Sequence, residues 1–195
     1  MKKILLLAAI MMLSANAFAQ NEVGKFSIMP KVGLNIANVT DWTHSKARYV
    51  QVAGVEAEYQ FTELISASLG VLYSRQGAKR KEEGVTNTLE ADYINVPVTA
   101  NVYVLKGLAV KLGLQPGFNI RDKYKTKTEI GGVKTITKAD ADLKSFDLSL
   151  PVGVSYEFND IVVDARYNWG LTKMWKHGDP KNSVFQFTVG YKFHL

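Results

Sequence analysis

Cysteine is absent from the 195-residue chain. That excludes disulfides, thiolate metal centres and cysteine nucleophiles, and it excludes lipid attachment at a cysteine behind a leader. Histidine is nearly absent: His44, His177 and His194 are the whole set, and no two have the spacing of a metal-ligand pair. After the first twenty residues no apolar run is long enough for a membrane helix, and mean hydropathy is −0.06. A strand that crosses a membrane escapes that test, because only every second residue meets lipid.

The amino terminus reads as a leader. Lys2 and Lys3 precede an apolar stretch over residues 4–13, and Ala17-Phe18-Ala19 is a small-x-small cleavage site. Residues 1–19 are expected to be a signal peptide and 20–195 one domain. Losing Lys2 and Lys3 lowers the formal charge of +6 by two, to a mildly basic +4. Export from the cytoplasm makes nucleic acid a poor partner.

Alternation dominates what remains. In the segment 183–193, Phe185, Phe187, Val189, Tyr191 and Phe193 share one strand face, and Gln186, Thr188, Gly190 and Lys192 share the other. The pattern recurs at about 26–38, 49–61, 65–76, 93–104, 108–120, 146–158 and 161–171, giving eight strands. Short turns fall at 61–64, 105–107 and 158–161, and long polar connections at 39–48, 77–92, 121–144 and 172–182. Such alternation of turn lengths on an even number of strands predicts an all-β fold: an eight-stranded antiparallel transmembrane β-barrel with short periplasmic turns and long extracellular loops.

A soluble lipocalin-like barrel that binds a ligand inside is the rival, with the apolar face turned inward. Glycine and serine crowd the polar face, which suits a narrow interior better than a solvated surface. Aromatics also gather at strand ends: Phe26, Phe61, Phe158 and Phe193 at one rim, Tyr49, Tyr73 and Trp169 toward the other. Two such belts match membrane interfaces. Pro30, Pro97, Pro116 and Pro151 fall inside expected strands and are read as bulge markers. Gly131-Gly132 reads as a hairpin turn, and parity then requires one extra residue, placed within 139–142.

The segment Asp92-Tyr93-Ile94-Asn95-Val96-Pro97-Val98, the run 164–171 (DARYNWGL) and the terminal Val189-Gly190-Tyr191-Lys192-Phe193 resemble strands of the PorT-like outer-membrane β-barrel family of Bacteroidota. The resemblance spans essentially the mature chain. It departs at Asn101, where relatives often carry lysine, and at His194-Leu195 beyond the last aromatic. The resemblance implies an outer-membrane location and, for most members, no established activity; a few relatives are associated with type IX secretion.

Two groups of charged residues stand out. Lys31, Glu56, Glu58, Lys111, Glu157, Asp164, Arg166 and Lys192 fall on inward faces. They read either as an interior ion-pair network that plugs the lumen or as the lining of a narrow ion or small-solute channel; enclosed charges must be paired or hydrated. Lys79, Arg80, Lys81, Lys123, Lys125, Lys127, Lys134 and Lys138 make two outer connections basic. These form a surface that could hold phosphates of lipopolysaccharide or a surface or secretion-machinery protein, or else an ordinary solvated rim. Threonines 126, 128, 135 and 137 give the glycine-tipped hairpin the character of a β-edge. His44 beside Thr43 and Ser45 admits a lipid-modifying enzyme as a further alternative, but a triad needs a fixed geometry that adjacency does not supply. No catalytic activity, cofactor or metal is expected.

Overall fold

The computed structural model describes residues 23–40, 45–82, 85–130, 133–175 and 179–195. The expected leader and cleavage site lie outside them. All regular structure among the described residues is strand: β1 (Phe26–Val39), β2 (Ser45–Gln60), β3 (Ile65–Glu82), β4 (Val85–Asn95), β5 (Val98–Leu105), β6 (Leu108–Ile130), β7 (Val133–Ala139), β8 (Phe146–Phe158), β9 (Ile161–Gly170), β10 (Asn182–Tyr191) and β11 (Phe193–His194). Strands β4 and β5 are one stave broken at Val96-Pro97, β11 continues β10, and β7 is a partner of β6 alone. Eight antiparallel staves result. β1 closes the ring by pairing with β2 on one side and with β10 on the other, from Lys31↔Gly190 to Val39↔Asn182.

Side-chain direction decides between the two barrels. Val32 is 64 % exposed and Phe158 63 %, whereas Gln186 and Asp164 on the opposite faces are fully buried. The apolar face therefore points out of the barrel along every stave, and the lipocalin-like alternative fails. Both sets of rim aromatics are exposed, and Phe118 and Phe146, 5.9 Å apart, join the upper one.

The short turns lie where the sequence puts them. Asn159 and Asp160 both have positive φ, 48° and 64°, as the tight hairpin twist requires. The upper connections differ from expectation. The stretch 77–92, expected as a loop, is mostly strand: β3 runs on to Glu82 and β4 starts at Val85, paired from Glu82↔Val85 to Leu72↔Asn95. Paired neighbours satisfy backbone groups that a loop would leave to water, and β4 pairs in turn with β6 up to Val85↔Thr128. Together with Ser45–Ala47 of β2, these strands and β7 raise a wall on one side of the barrel mouth.

The prolines do not mark bulges. Pro30, Pro116 and Pro151 keep their place in ladders of constant register, opposite Val55, Leu148 and Asn168. Pro97 interrupts strand structure without changing register. The register shifts lie elsewhere: one in β2 between Ala47 and Val52, one where Ile120 is the extra residue between Asp92↔Arg121 and Tyr93↔Asn119, and one beside the β5–β6 turn between Tyr103 and Leu105. Gly131-Gly132 lies outside the described residues, but Ile130 pairs with Val133. Tyr124 lies six positions beyond Phe118 and Phe146 seven beyond Ala139, so the returning limb holds one extra residue. Asp142, with φ 52°, lies in that limb.

Candidate functional site

Three layers occupy the axis of the barrel. The lowest two are charged. Glu56 accepts from Lys31 (2.9 Å), Lys111 (2.6 Å) and Arg166 (3.2 Å). Asp164 meets the same cations, at 3.7, 3.1 and 2.5 Å. Nearer the termini, Lys192 bridges Glu58 (3.2 Å) and Glu157 (2.6 Å). The hydroxyls of Tyr103 and Ser66 both donate to Glu58, at 2.6 and 2.5 Å. All eight inward charges singled out in the sequence thus meet in two adjoining clusters, with four cations facing four carboxylates. The Lys31 and Glu56 side chains are each 1 % exposed. A charge so enclosed is tolerable only because each has more than one partner.

Above these clusters the interior is mostly amide and hydroxyl, with one acid, Asp147, among them. Asn35 donates to Ser74 (2.9 Å), and Asn182 donates to Asp147 (3.1 Å), which also accepts from Thr172 (2.7 Å). The mouth is then covered by a small apolar cluster of Val39, Ala78, Leu89 and Met174, with Tyr124, Leu143 and Trp175 packed against it. Trp175 donates its indole N–H to the Ala141 carbonyl (2.9 Å) and so ties together two connections that enter the mouth. Sequence reasoning missed this lid. Its members are single apolar residues scattered through polar stretches, without the period that marks a core-facing strand.

The wall sorts the basic residues by face. Ala78, Leu89 and Tyr124 turn toward the lid, so by alternation Lys79, Thr88 and Lys125 turn away from it. Lys46 pairs with Lys79, Lys79 with Thr88, Thr88 with Lys125 and Lys125 with Lys138, which makes one row across the wall. One step higher, Lys81, Thr86, Lys127 and Ile136 make a second row. Lys123 shares this outward face, and Lys134 holds the register position opposite Glu129. Arg80 does not belong to the group. It alternates onto the inner face with Glu82, its ion-pair partner. The expected outer-loop residues are therefore strand residues, and all but Arg80 of those with described side chains lie on one surface.

Glu90 sits on that surface, 2.7 Å from Lys125 and 3.5 Å from Arg48. Burial pushes its carboxyl up, but the Lys125 hydrogen bond and charge, with Arg48 behind, outweigh this and hold it below its ordinary 4.5. Arg48 itself threads the bulge between β2 and β3, donating to the carbonyls of Gln76 and Leu89, both at 2.8 Å.

His44, Thr43 and His177 lie outside the described residues, and the Ser45 hydroxyl makes a 3.5 Å contact with the Val39 carbonyl. His194 is brought near Asp160 (3.3 Å) and Glu157 (3.9 Å) at the lower rim. Sequence spacing did not signal this meeting, which strand β11 produces. Lys192, shared with Glu58, also pairs with Glu157 there, and the group lies at the periphery of the lower charge cluster.

Residues 18–176 match the family model described as outer membrane protein beta-barrel domain. No curated protein matches the chain. Among solved structures, the chain is similar to Ail of Yersinia pestis in complex with the heparin analogue sucrose octasulfate, with 17 % identity and a TM-score of 0.55 over 88 % of this chain and 100 % of that one. A second structure of Ail gives 15 % identity and a TM-score of 0.50 over the same shares. Neisserial surface protein A gives 13 % identity and a TM-score of 0.49, over 86 % of this chain and 97 % of that one. At these identities the likeness is one of fold.

Proposed function

Because the chain belongs to the outer membrane protein beta-barrel domain family, we propose that it is an integral outer-membrane protein with a plugged lumen, acting at the surface through the basic face of its wall. The observation that carries this reading is the register, which turns Lys79, Lys81, Lys125, Lys127 and Lys138 onto one outward surface. Cations gathered on one face sum to a stronger local field for anions than the same residues scattered over a loop. The partner class is anionic: outer-membrane glycolipid, or an acidic surface or secretion-machinery protein.

The paired charges and the lid support a closed interior, and barrels of this strand number have little spare room inside. The motifs at 92–98 and 164–171 support the finer assignment to PorT-like barrels of Bacteroidota, and the Lys2-Lys3 start with Ala17-Phe18-Ala19 supports removal of residues 1–19.

The test is binding of a soluble polyanion. Purified protein in a zwitterionic detergent should bind sucrose octasulfate, the probe found with Ail, in a salt-sensitive way. Glutamine at Lys79, Lys81, Lys125 and Lys127 should remove the binding. Equal binding by both proteins defeats the reading, and discrete single-channel conductance of the unmodified protein defeats the plugged lumen.

A further inference from the structure

The basic face is the upward continuation of the barrel's lipid-facing exterior. Tyr73, Phe118 and Ile120 are exposed on that exterior. Immediately above them, Arg75 and Arg121 flank Asp92 at 3.4 and 3.9 Å, and the Tyr73 hydroxyl donates to the same carboxylate at 3.0 Å. Lys123 follows, then the row of Lys46, Lys79, Lys125 and Lys138, then Lys81 and Lys127. Charge begins where the aromatics stop and continues to the top of the wall. The inner face has a different chemistry, with Arg80 held by Glu82 and Thr126 donating to Asn87 at 3.0 Å.

The height of this cationic face tells one membrane partner from another. Lys79 is six residues above Tyr73, which for a strand tilted by about 40° is ~15 Å along the membrane normal, and Lys81 is ~20 Å up. A simple phospholipid headgroup layer is only about 5–8 Å deep. The upper two rows stand clear of it. A glycolipid with an extended, phosphorylated saccharide headgroup reaches them while its acyl chains lie against the apolar exterior below.

We propose that the outward face of the wall docks such a glycolipid, of the lipopolysaccharide type, with headgroup phosphates held between lysines of neighbouring rows. Lys79 and Lys125 flank Thr88, and Lys81 and Lys127 flank Thr86. Across two strand spacings each lysine pair brackets a gap of about 10 Å floored by a hydroxyl donor. This inference rests on the surface-binding reading above and names its partner.

The experiment uses the full mature protein in phosphatidylcholine vesicles doped with lipopolysaccharide, followed by mild detergent extraction and measurement of glycolipid retained per barrel. The unmodified protein should retain at least about tenfold more than the Lys79→Gln, Lys81→Gln, Lys125→Gln, Lys127→Gln variant, since each cation near an anionic surface adds to its attraction. Retention should fall similarly with dephosphorylated glycolipid, and a Lys106→Gln control at the opposite rim should behave as unmodified. If the quadruple variant loses its heat-dependent gel shift, the pair Lys79→Gln and Lys125→Gln replaces it, with a several-fold loss expected. Equal retention by the unmodified and lysine-depleted proteins, or retention indifferent to dephosphorylation, overturns the proposal. Binding of sucrose octasulfate without glycolipid retention overturns this partner and leaves the surface-binding reading standing; loss of both removes both.

Discussion

Lys111 and Glu56 approach to 2.6 Å across the lumen from staves that are not neighbours in the sheet. Lys31 and Arg166 complete the cation set around the same carboxylate. The Glu56→Gln substitution leaves three buried cations facing Asp164 alone. Breaking a buried pair in this way costs about 3–5 kcal/mol, so the urea midpoint of the refolded barrel should fall markedly. Replacing the cluster as a whole by apolar residues of similar volume should recover much of the loss. An unchanged midpoint in Glu56→Gln would show that the network does not hold the staves together.

Acid should loosen the wall before the barrel. The Glu90 carboxyl is held below 4.5 in the folded protein, so the unfolded chain binds its proton more readily. Its stabilising contribution is complete above 4.5 and disappears as pH falls through the lower folded value. Limited proteolysis between β3 and β4 should therefore accelerate below pH 4.5, while the gel shift persists. In Glu90→Gln that acid-induced acceleration should be much reduced.

The lid makes a separate prediction. Trp175→Ala removes both the packing against the apolar cluster and the hydrogen bond to Ala141. Cleavage in the connections on either side of β8 and β9 that enter the mouth should rise several-fold. The heat-dependent shift should stay, because the lid lies above the closed ring. Unaltered protease resistance would mean that the cluster does not order these connections.

Gly77 tests the wall's attachment. Its φ is 111°, and a Cβ there would lie 2.2 Å from the Leu89 carbonyl oxygen and 3.2 Å from the Arg48 guanidinium. Gly77→Ala should cost about 1–3 kcal/mol through backbone strain, displacing Arg48 from its two carbonyl acceptors. The expected outcome is hydrogen exchange that speeds up in β3 and β4 above Asp92 and is unchanged at Lys111. Uniform protection would contradict it.

Much of this molecule follows from period-two alternation, a local property. Val32 outside and Lys31 inside need only the pleat of one strand, and the eight inward charges could be picked out because alternation assigns a face before any partner is known. The turns at Gly107 and at Asn159-Asp160 were legible for the same reason, since the chemistry that permits positive φ is carried by the residues themselves.

Only the tertiary structure decided which faces meet. That Glu56 collects three cations, that Arg80 leaves the lysine group, and that Leu89 finds Met174 all depend on cross-strand register and on closure of the ring. Those are set by pairing between residues far apart in sequence. The segment 77–92 looked like a loop because its side chains are polar. It is strand because β3, β4 and β6 supply each other's backbone hydrogen bonds, and no residue within that stretch carries the information alone.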